Sequence, residues 1–437
     1  MNNLPQPPDP LVDREGRITP HFLVNCDAHD TGVLKEAQGY KLNAPFADIH
    51  SIAGEESELS VMLGVINGVL TRIEPESGLI TPLCSVGPKS RMNYVQVTNW
   101  IYFSSRFFNG IYDTISGQIR PWGLPPPGMP PDVSLCAGDM PPGKYDLCYT
   151  RISADGLSQS GNGPIRQIEF EDQAAGLQLN NLEGDFQVWI TQVNGGPMFQ
   201  AEINSQGQVT NQVPDFNPLR TLNIIPPPQF RHFTFDHGRI WGVMGRNLYY
   251  SEPNEYGDFG WFSRKYIPFL EDLVLVASFT GGLYVNSRNL TWVLRGTEPD
   301  KFKIESVGIG AIPGTLCLAQ IPAKMASGAV PTQEFAEFSM MPTPVWRNRT
   351  GFVIGTHGGH LILVTERRLK LSDRQYGASL WRWNDGIPQV ITTARGPTQN
   401  PDAETEEILA MGALFAAPVT VNGASGLLMG SQANLSA

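Results

Sequence analysis

From residue 59 to 122 the chain never sustains a helical pattern. Apolar residues alternate for a few positions, and then a glycine, a proline or an Asn-Gly step breaks the run. Runs this short cross a sheet once, so a core must be assembled from many strands joined by tight turns. Leu59–Leu70 reads as a strand, a hairpin turn at Asn67-Gly68 and a second strand. Tyr94–Val97, Trp100–Ser104 and Gly110–Asp113 repeat the rhythm. Two similar endings, Glu76-Ser-Gly-Leu-Ile-Thr-Pro82 and Ile115-Ser-Gly-Gln-Ile-Arg-Pro121, lie about 39 residues apart, close to the ~40-residue period of a four-stranded propeller blade. Antiparallel hairpins of a sandwich fit the same rhythm.

Composition agrees with a turn-rich β protein. The 437 residues include 45 glycines and 36 prolines, and only 17% are charged, which argues against a coiled coil, a helical bundle or a charged disordered chain. A hydrophobic share of 41% is enough for a sizeable core. The formal charge of -11 argues against a general nucleic-acid-binding surface, which needs clustered Lys and Arg. The start of the chain has neither the basic residues nor the apolar run of a signal peptide, and no window is apolar enough for a membrane helix, so no membrane anchoring is expected. Cys26, Cys84, Cys136, Cys148 and Cys317 are scattered without a C-x-x-C spacing and read as isolated thiols.

Two proline clusters divide the chain. Pro125–Pro142 reads as a loop, because proline lacks the N–H that a sheet ladder needs, and Ile225-Pro-Pro-Pro228 is a second break. Between them Gly143–Ile152, Gly163–Phe170, Leu177–Leu179 and Phe186–Thr191 alternate with turns, as in a small sandwich of the fibronectin type III kind. Strands resume at Phe230–Phe235, Arg239–Met244, Asn247–Ser251, Leu273–Phe279, Gly282–Val285, Leu290–Leu294, Gly351–Ile354 and His360–Val364. Short helices are expected only at Thr332–Phe338 and Pro401–Ala410. The expected fold is all-β: an irregular β-propeller with an inserted small fibronectin type III-like β-sandwich. The expected domains are an N-terminal arm (1–19), a discontinuous propeller (20–125 and 229–400), the insert (143–224) and a C-terminal segment (401–437).

Groups that could carry chemistry are sparse. His357-Gly-Gly-His360 is a close histidine pair without a neighbouring third ligand, and on a turn it reads as solvated. Asp27, His29 and Asp30 sit in a polar opening stretch where such residues mainly serve turns. Gly308–Gly314 is glycine-rich, but Pro313 and the missing helix exclude a dinucleotide loop. Walker A, G-x-S-x-G and H-E-x-x-H motifs are absent. Trp241, Tyr249, Tyr250, Trp261, Phe262, Trp292, Trp381 and Trp383 read as packing between blades, and Arg231, Arg239, Arg246, Arg264, Arg288 and Arg295 as surface and inter-blade ion pairs. No catalytic, cofactor-binding or metal residue is expected, and no enzymatic activity.

The stretch Gly238–Pro253 contains Gly238-Arg-Ile-Trp241 and Leu248-Tyr-Tyr-Ser-Glu-Pro253. It resembles a signature of the tail nozzle or tail hub proteins (tail tubular, DNA-stabilisation type) of short-tailed, podoviral bacteriophages. Gly281–Val285, Trp292–Gly296 and Pro299–Phe302 match the later segments of that signature in order. Val24–Leu34 with Gly39-Tyr40 resembles the family's opening, although Glu36 and Ala37 stand where arginine is usual, and Tyr145–Ser158 resembles its sandwich strand and turn. The likeness runs through residues 20–310 and fades after about 345.

The resemblance implies a structural virion protein of the tail, made in the host cytoplasm. It implies a homohexameric ring below the portal and its head-to-tail adaptor, which retains packaged DNA and conducts it on ejection. Partners would be further copies of the chain, the adaptor, and tail needle, fibre or spike proteins. Genomic DNA would pass without specific binding, and an acidic lumen suits that by repulsion. A tail-associated carbohydrate-binding or depolymerising propeller is the alternative.

Overall fold

The computed structural model describes residues 62–320 and 342–363 apart from short gaps (75–76, 78, 88–90, 154–157, 172, 183, 213–216 and 261–264), and beyond them only separate strands. Its organising unit is a four-stranded antiparallel meander, repeated along the chain. The first sheet pairs Ala47–Ser51, Met62–Ile66, Val69–Ile73 and Ile80–Ser85 in chain order, and the second pairs Asn93–Val97, Trp100–Ser104, Asn109–Asp113 and Ile119–Pro121. The third is built on His232–Asp236, Arg239–Met244 and Asn247–Glu252, the fourth on Leu273–Phe279, Gly282–Ser287, Thr291–Arg295 and Lys303–Val307. The fifth contains Cys317–Ala319, Thr343–Arg347, Phe352–Gly355 and Leu361–Leu363. A further sheet joins Tyr376–Asn384, Ile387–Arg395 and Glu406–Gly412, running across residue 400.

Turn chemistry fixes these meanders locally. Asn67 and Gly68 both take positive φ, 50° and 79°, which is what a two-residue type I′ hairpin demands and why Asn-Gly stands there.

Consecutive sheets are held by wedges of apolar side chains. Leu63, Val65 and Leu70 meet Ile101, Phe103 and Tyr112 between the first and second sheets. Tyr102, Ile111 and Trp122 meet Phe233, Ile240 and Phe259 between the second and third. Trp241, Val243 and Leu248 meet Leu283, Val285 and Trp292 between the third and fourth, and Leu275, Tyr284 and Val293 meet Trp346 and Val353 between the fourth and fifth. The period of two makes this possible: Leu248 enters one wedge and its neighbour Tyr249 the other. Strands buried on both faces therefore read as continuous apolar runs, as in Leu273-Val-Leu-Val-Ala-Ser-Phe279. The outer strand Lys303–Val307 is largely exposed, as a blade rim should be.

Between the second and third sheets a β-sandwich is inserted. One layer orders Asp132–Met140, Ala175–Asn180 and Gln208–Val209, and the other Arg166–Phe170, Gly143–Arg151, Phe186–Thr191 and Met198–Gln200. Its core, including Tyr145, Leu147, Leu177, Val188 and Ile190, is a cluster of its own. The architecture is thus all-β, an irregular propeller interrupted by a small sandwich. Among the described residues there is one short 3₁₀ turn, Pro299–Lys301, and no helix long and apolar enough to cross a membrane.

Two local expectations need correction. Pro125–Pro142 is not all loop: Asp132–Met140 forms a strand, because the prolines stop at Pro131 and restart at Pro141, leaving every intervening N–H available. The helix expected over Pro401–Ala410 is also wrong where described, since Glu406–Gly412 pairs with Ile387–Arg395. Cross-strand pairing overrides the local preference of a Glu-rich segment. The helix expected at Thr332–Phe338 lies outside the described residues.

Candidate functional site

The signature segments converge on the seams between sheets. His237 and Gly238 form the turn before Arg239. Arg239 Nη1 donates to the Ser251 carbonyl at 2.7 Å, and Ser251 Oγ accepts from the Ile240 N–H at 3.0 Å. These bonds tie the Gly238-Arg-Ile-Trp241 strand to Leu248–Pro253. Trp241 packs against Tyr250 and Phe302, with centroid separations of 5.3 and 5.4 Å.

At the next seam, Tyr284 Oη donates to the carbonyls of Thr356 (2.6 Å) and His360 (3.1 Å). Arg295 donates to the carbonyls of Gly358 (2.6 Å) and Gly359 (3.0 Å). One phenol and one guanidinium therefore hold the Thr356–His360 turn of the fifth sheet onto the fourth. Charge-assisted bonds of this kind are among the stronger polar contacts available.

His357 sits inside this clamp. It is buried, with Nδ1 3.0 Å from Thr280 Oγ1 and Nε2 3.4 Å from Thr343 Oγ1. The expectation of a solvated histidine pair is corrected for His357, because the turn is pressed against the neighbouring sheet; His360 is exposed. Both nitrogens of His357 face hydroxyls, an arrangement suited to a structural cross-link. Among the described residues no three His, Cys, Asp or Glu side chains gather as a metal site. Asp27 lies in the strand Cys26–Ala28, whereas His29 and Asp30 lie outside the described residues. The Gly308–Gly314 segment is the crossover from the fourth to the fifth sheet, held by Ala311 N to Ser287 O (2.9 Å) and Ile312 N to Arg347 O (2.8 Å).

Of the aromatic residues, Trp241, Tyr249 and Trp292 are buried in the wedges, while Trp261 and Phe262 lie outside the described residues together with Arg264. The arginines divide by role. Arg239 pairs with Glu252 at 3.6 Å, beside the Lys265–Glu252 ion pair, and Arg246 lies 3.7 Å from Asp272. Burial, together with the Arg239 charge, holds the Lys265 ammonium below its usual range. Burial lowers His232 to about 4, so it is neutral at physiological pH where it accepts from the Val276 N–H. Cys84, Cys136, Cys148 and Cys317 are unbridged, and burial pushes the Cys148 and Cys317 thiols up to about 12, far from a reactive thiolate.

One pairing escaped the sequence. Asp258 and Glu255 share a hydrogen bond on the strand Glu255–Gly260, and burial plus the Glu255 carboxyl pushes Asp258 up to about 7. The folded chain thus holds a proton that the unfolded carboxyl releases near 4, so stability falls as pH rises from about 4 to about 7 and is level above. Asp258→Asn should abolish that slope: about 1–2 kcal/mol more stable than the parent at pH 8, allowing for partial solvent screening, and indistinguishable at pH 4. Urea midpoints at the two pH values decide it, and an equal difference at both would refute the shared proton.

No known family profile matches the chain, and no curated protein does. Solved structures give distant likenesses. They include the extracellular domain of the putative one-component system BT4673 from B. thetaiotaomicron (9% identity, 79% of this chain and 39% of that one, TM-score 0.28). Saccharomyces cerevisiae Sqt1 (9%, 69% and 68%, TM-score 0.26) and Kluyveromyces lactis Hsv2 (10%, 80% and 94%, TM-score 0.27) are others. The chain spans about two fifths of the BT4673 domain. At these scores the fold assignment rests on the sheet order and wedge cores described above.

Proposed function

We propose that this chain is a non-enzymatic structural protein of a short-tailed phage tail. It is the nozzle or hub ring below the portal and adaptor, which retains packaged DNA and conducts it on ejection. The observation carrying the reading is positional. The segments Gly238–Pro253, Gly281–Val285, Trp292–Gly296 and Tyr145–Ser158 fall on the third sheet, the fourth sheet and the sandwich, in the order the family resemblance implies. Their side chains lock sheets together and assemble no nucleophile with its base, which favours a scaffold over an enzyme. The Glu255–Asp258 pair is in hydrogen-bond contact, too close for the roughly 5–10 Å separation of glycosidase carboxylates. A charge of -11 suits a conduit that repels its cargo.

Electron microscopy of intact tails carrying a tagged copy tests the reading. The expected result is a six-fold ring on the portal axis, and purified protein that retains duplex DNA no better than serum albumin at physiological salt. A complete virion lacking the protein on that axis overturns it.

A further inference from the structure

A domain inserted on two linkers swings by default, because few contacts cross its boundary. Here both linkers are stiff. Residues 124–131 hold five prolines in eight positions, and Ile225 runs into Pro226-Pro227-Pro228. Each proline ring fixes its own φ, so such runs act as semi-rigid spacers and not as flexible tethers.

Both legs dock on one strand of the propeller, Glu255–Gly260. At departure, Trp122 Nε1 donates to the Tyr256 carbonyl at 2.7 Å. At return, Ile224 and Ile225 pair with Gly260 and Phe259. The second sheet holds the return leg as well: Asn109 Nδ2 donates to the carbonyls of Pro227 (2.8 Å) and Pro228 (3.0 Å). The legs also touch each other. A Cβ on Gly123 would stand 2.9 Å from Pro227 Cδ and 3.0 Å from Pro226 Cα, so a side chain there would part them.

The sandwich holds the same legs from its own side. The Asn223 N–H donates to Asn162 Oδ1 at 2.6 Å, and Arg166 Nη1 donates to the Pro131 carbonyl at 3.1 Å. Gly161 lies so close to the return leg that a Cβ there would stand 1.8 Å from the Ile224 carbonyl oxygen. Just before that leg, the Leu219 N–H donates to the Met198 carbonyl at 2.8 Å, and the Leu219 side chain packs on Cys148 and Trp189. A swing about the neck would have to break contacts at both ends of both legs at once.

We infer that the sandwich is a rigid arm of the propeller, held at one angle by this neck, with Glu255–Gly260 as the strand that receives any force applied to it. A molecule bound to the sandwich is then presented to the propeller in a single orientation. Pulling on it loads the third sheet first, through Ile224–Ile225. The inference goes beyond the ring reading and stands without it, since it concerns one copy of the chain.

Pulsed electron spin resonance on the full chain tests it. Ketone-bearing amino acids at the exposed positions Gln206 and Asn99 carry the nitroxides, which leaves the native cysteines in place. A second pair at Gln206 and Glu171, both exposed and both on the sandwich, sets the width expected of a rigid body. The propeller-to-sandwich distance should be a single peak no wider than that reference. Asn109→Ala/Asn162→Ala removes three of the bonds on the return leg, and Gly161→Ala drives its carbonyl away. Each should at least double the width of the peak. Asn162→Asp keeps the acceptor for the Asn223 N–H and should leave the peak unchanged. Hydrogen exchange at Leu147, Val188–Ile190 and Trp100–Ser104 should stay at parental protection in every variant, which separates a loosened neck from an unfolded sandwich or sheet. A variant that fails this check is set aside and the other decides. A wild-type peak broader than the reference overturns the inference, and so does a parental width in folded Asn109→Ala/Asn162→Ala or Gly161→Ala.

Discussion

Trp122→Ala should lower stability by about 3–5 kcal/mol, the range for deleting a fully buried indole. Trp122 is 2% exposed and closes the second sheet where the chain departs for the sandwich. Its ring meets Tyr102, Phe233 and Phe230 at centroid distances of 5.2, 5.1 and 5.9 Å, and its Nε1 donates to the Tyr256 carbonyl at 2.7 Å. Alanine would leave both a cavity and an unsatisfied carbonyl. Trp122→Phe keeps much of the packing and loses the hydrogen bond, so its loss should be smaller, about 1–3 kcal/mol. The effect should also be local. The sandwich core shares no residue with this wedge. Hydrogen exchange in Trp122→Ala should therefore accelerate in Trp100–Ser104 and Arg239–Met244 while Leu147 and Val188–Ile190 keep their protection. Uniform acceleration across both regions, or a loss below about 1 kcal/mol, would show that the wedge is not what holds the second and third sheets together.

The strands were legible because alternation and turn residues act locally. Asn67-Gly68 announces its hairpin from the sequence alone, and the proline runs announce where pairing must stop. What was hidden depends on contacts distant in sequence. His357-Gly-Gly-His360 looks like a solvated turn until Thr280, Tyr284 and Arg295 of the preceding sheet close over it. Glu255 and Asp258 are three apart, and on a regular strand they would face opposite sides. They meet because the register shifts where this strand joins its neighbour, between Ser251 and Glu252. Asp132–Met140 was masked by its flanking prolines, although its own residues carry no obstacle to pairing.

Gly282→Ala should be at least as damaging as the loss of Trp122, and for a different reason. Gly282 has φ +152°, and a Cβ added there would stand 1.8 Å from the Leu294 carbonyl oxygen. That oxygen belongs to the paired strand, where Gly282 faces Arg295, so backbone rather than a flexible side chain would have to give way. Moving that strand displaces Arg295 from the Gly358 and Gly359 carbonyls and loosens the clamp on the fifth sheet. Backbone strain of about 1–3 kcal/mol adds to the lost contacts, so a total above about 3 kcal/mol or failure to accumulate as soluble protein is expected. Gly308→Ala is the matched control, since nothing lies within 4 Å of a Cβ there, and it should stay within about 0.5 kcal/mol of the parent. Urea unfolding of the two variants in parallel decides the matter. If Gly282→Ala unfolds with the parental midpoint, the strand pair Gly282–Ser287 and Thr291–Arg295 does not approach as closely as described, and the Tyr284–Arg295 clamp built on it fails as well.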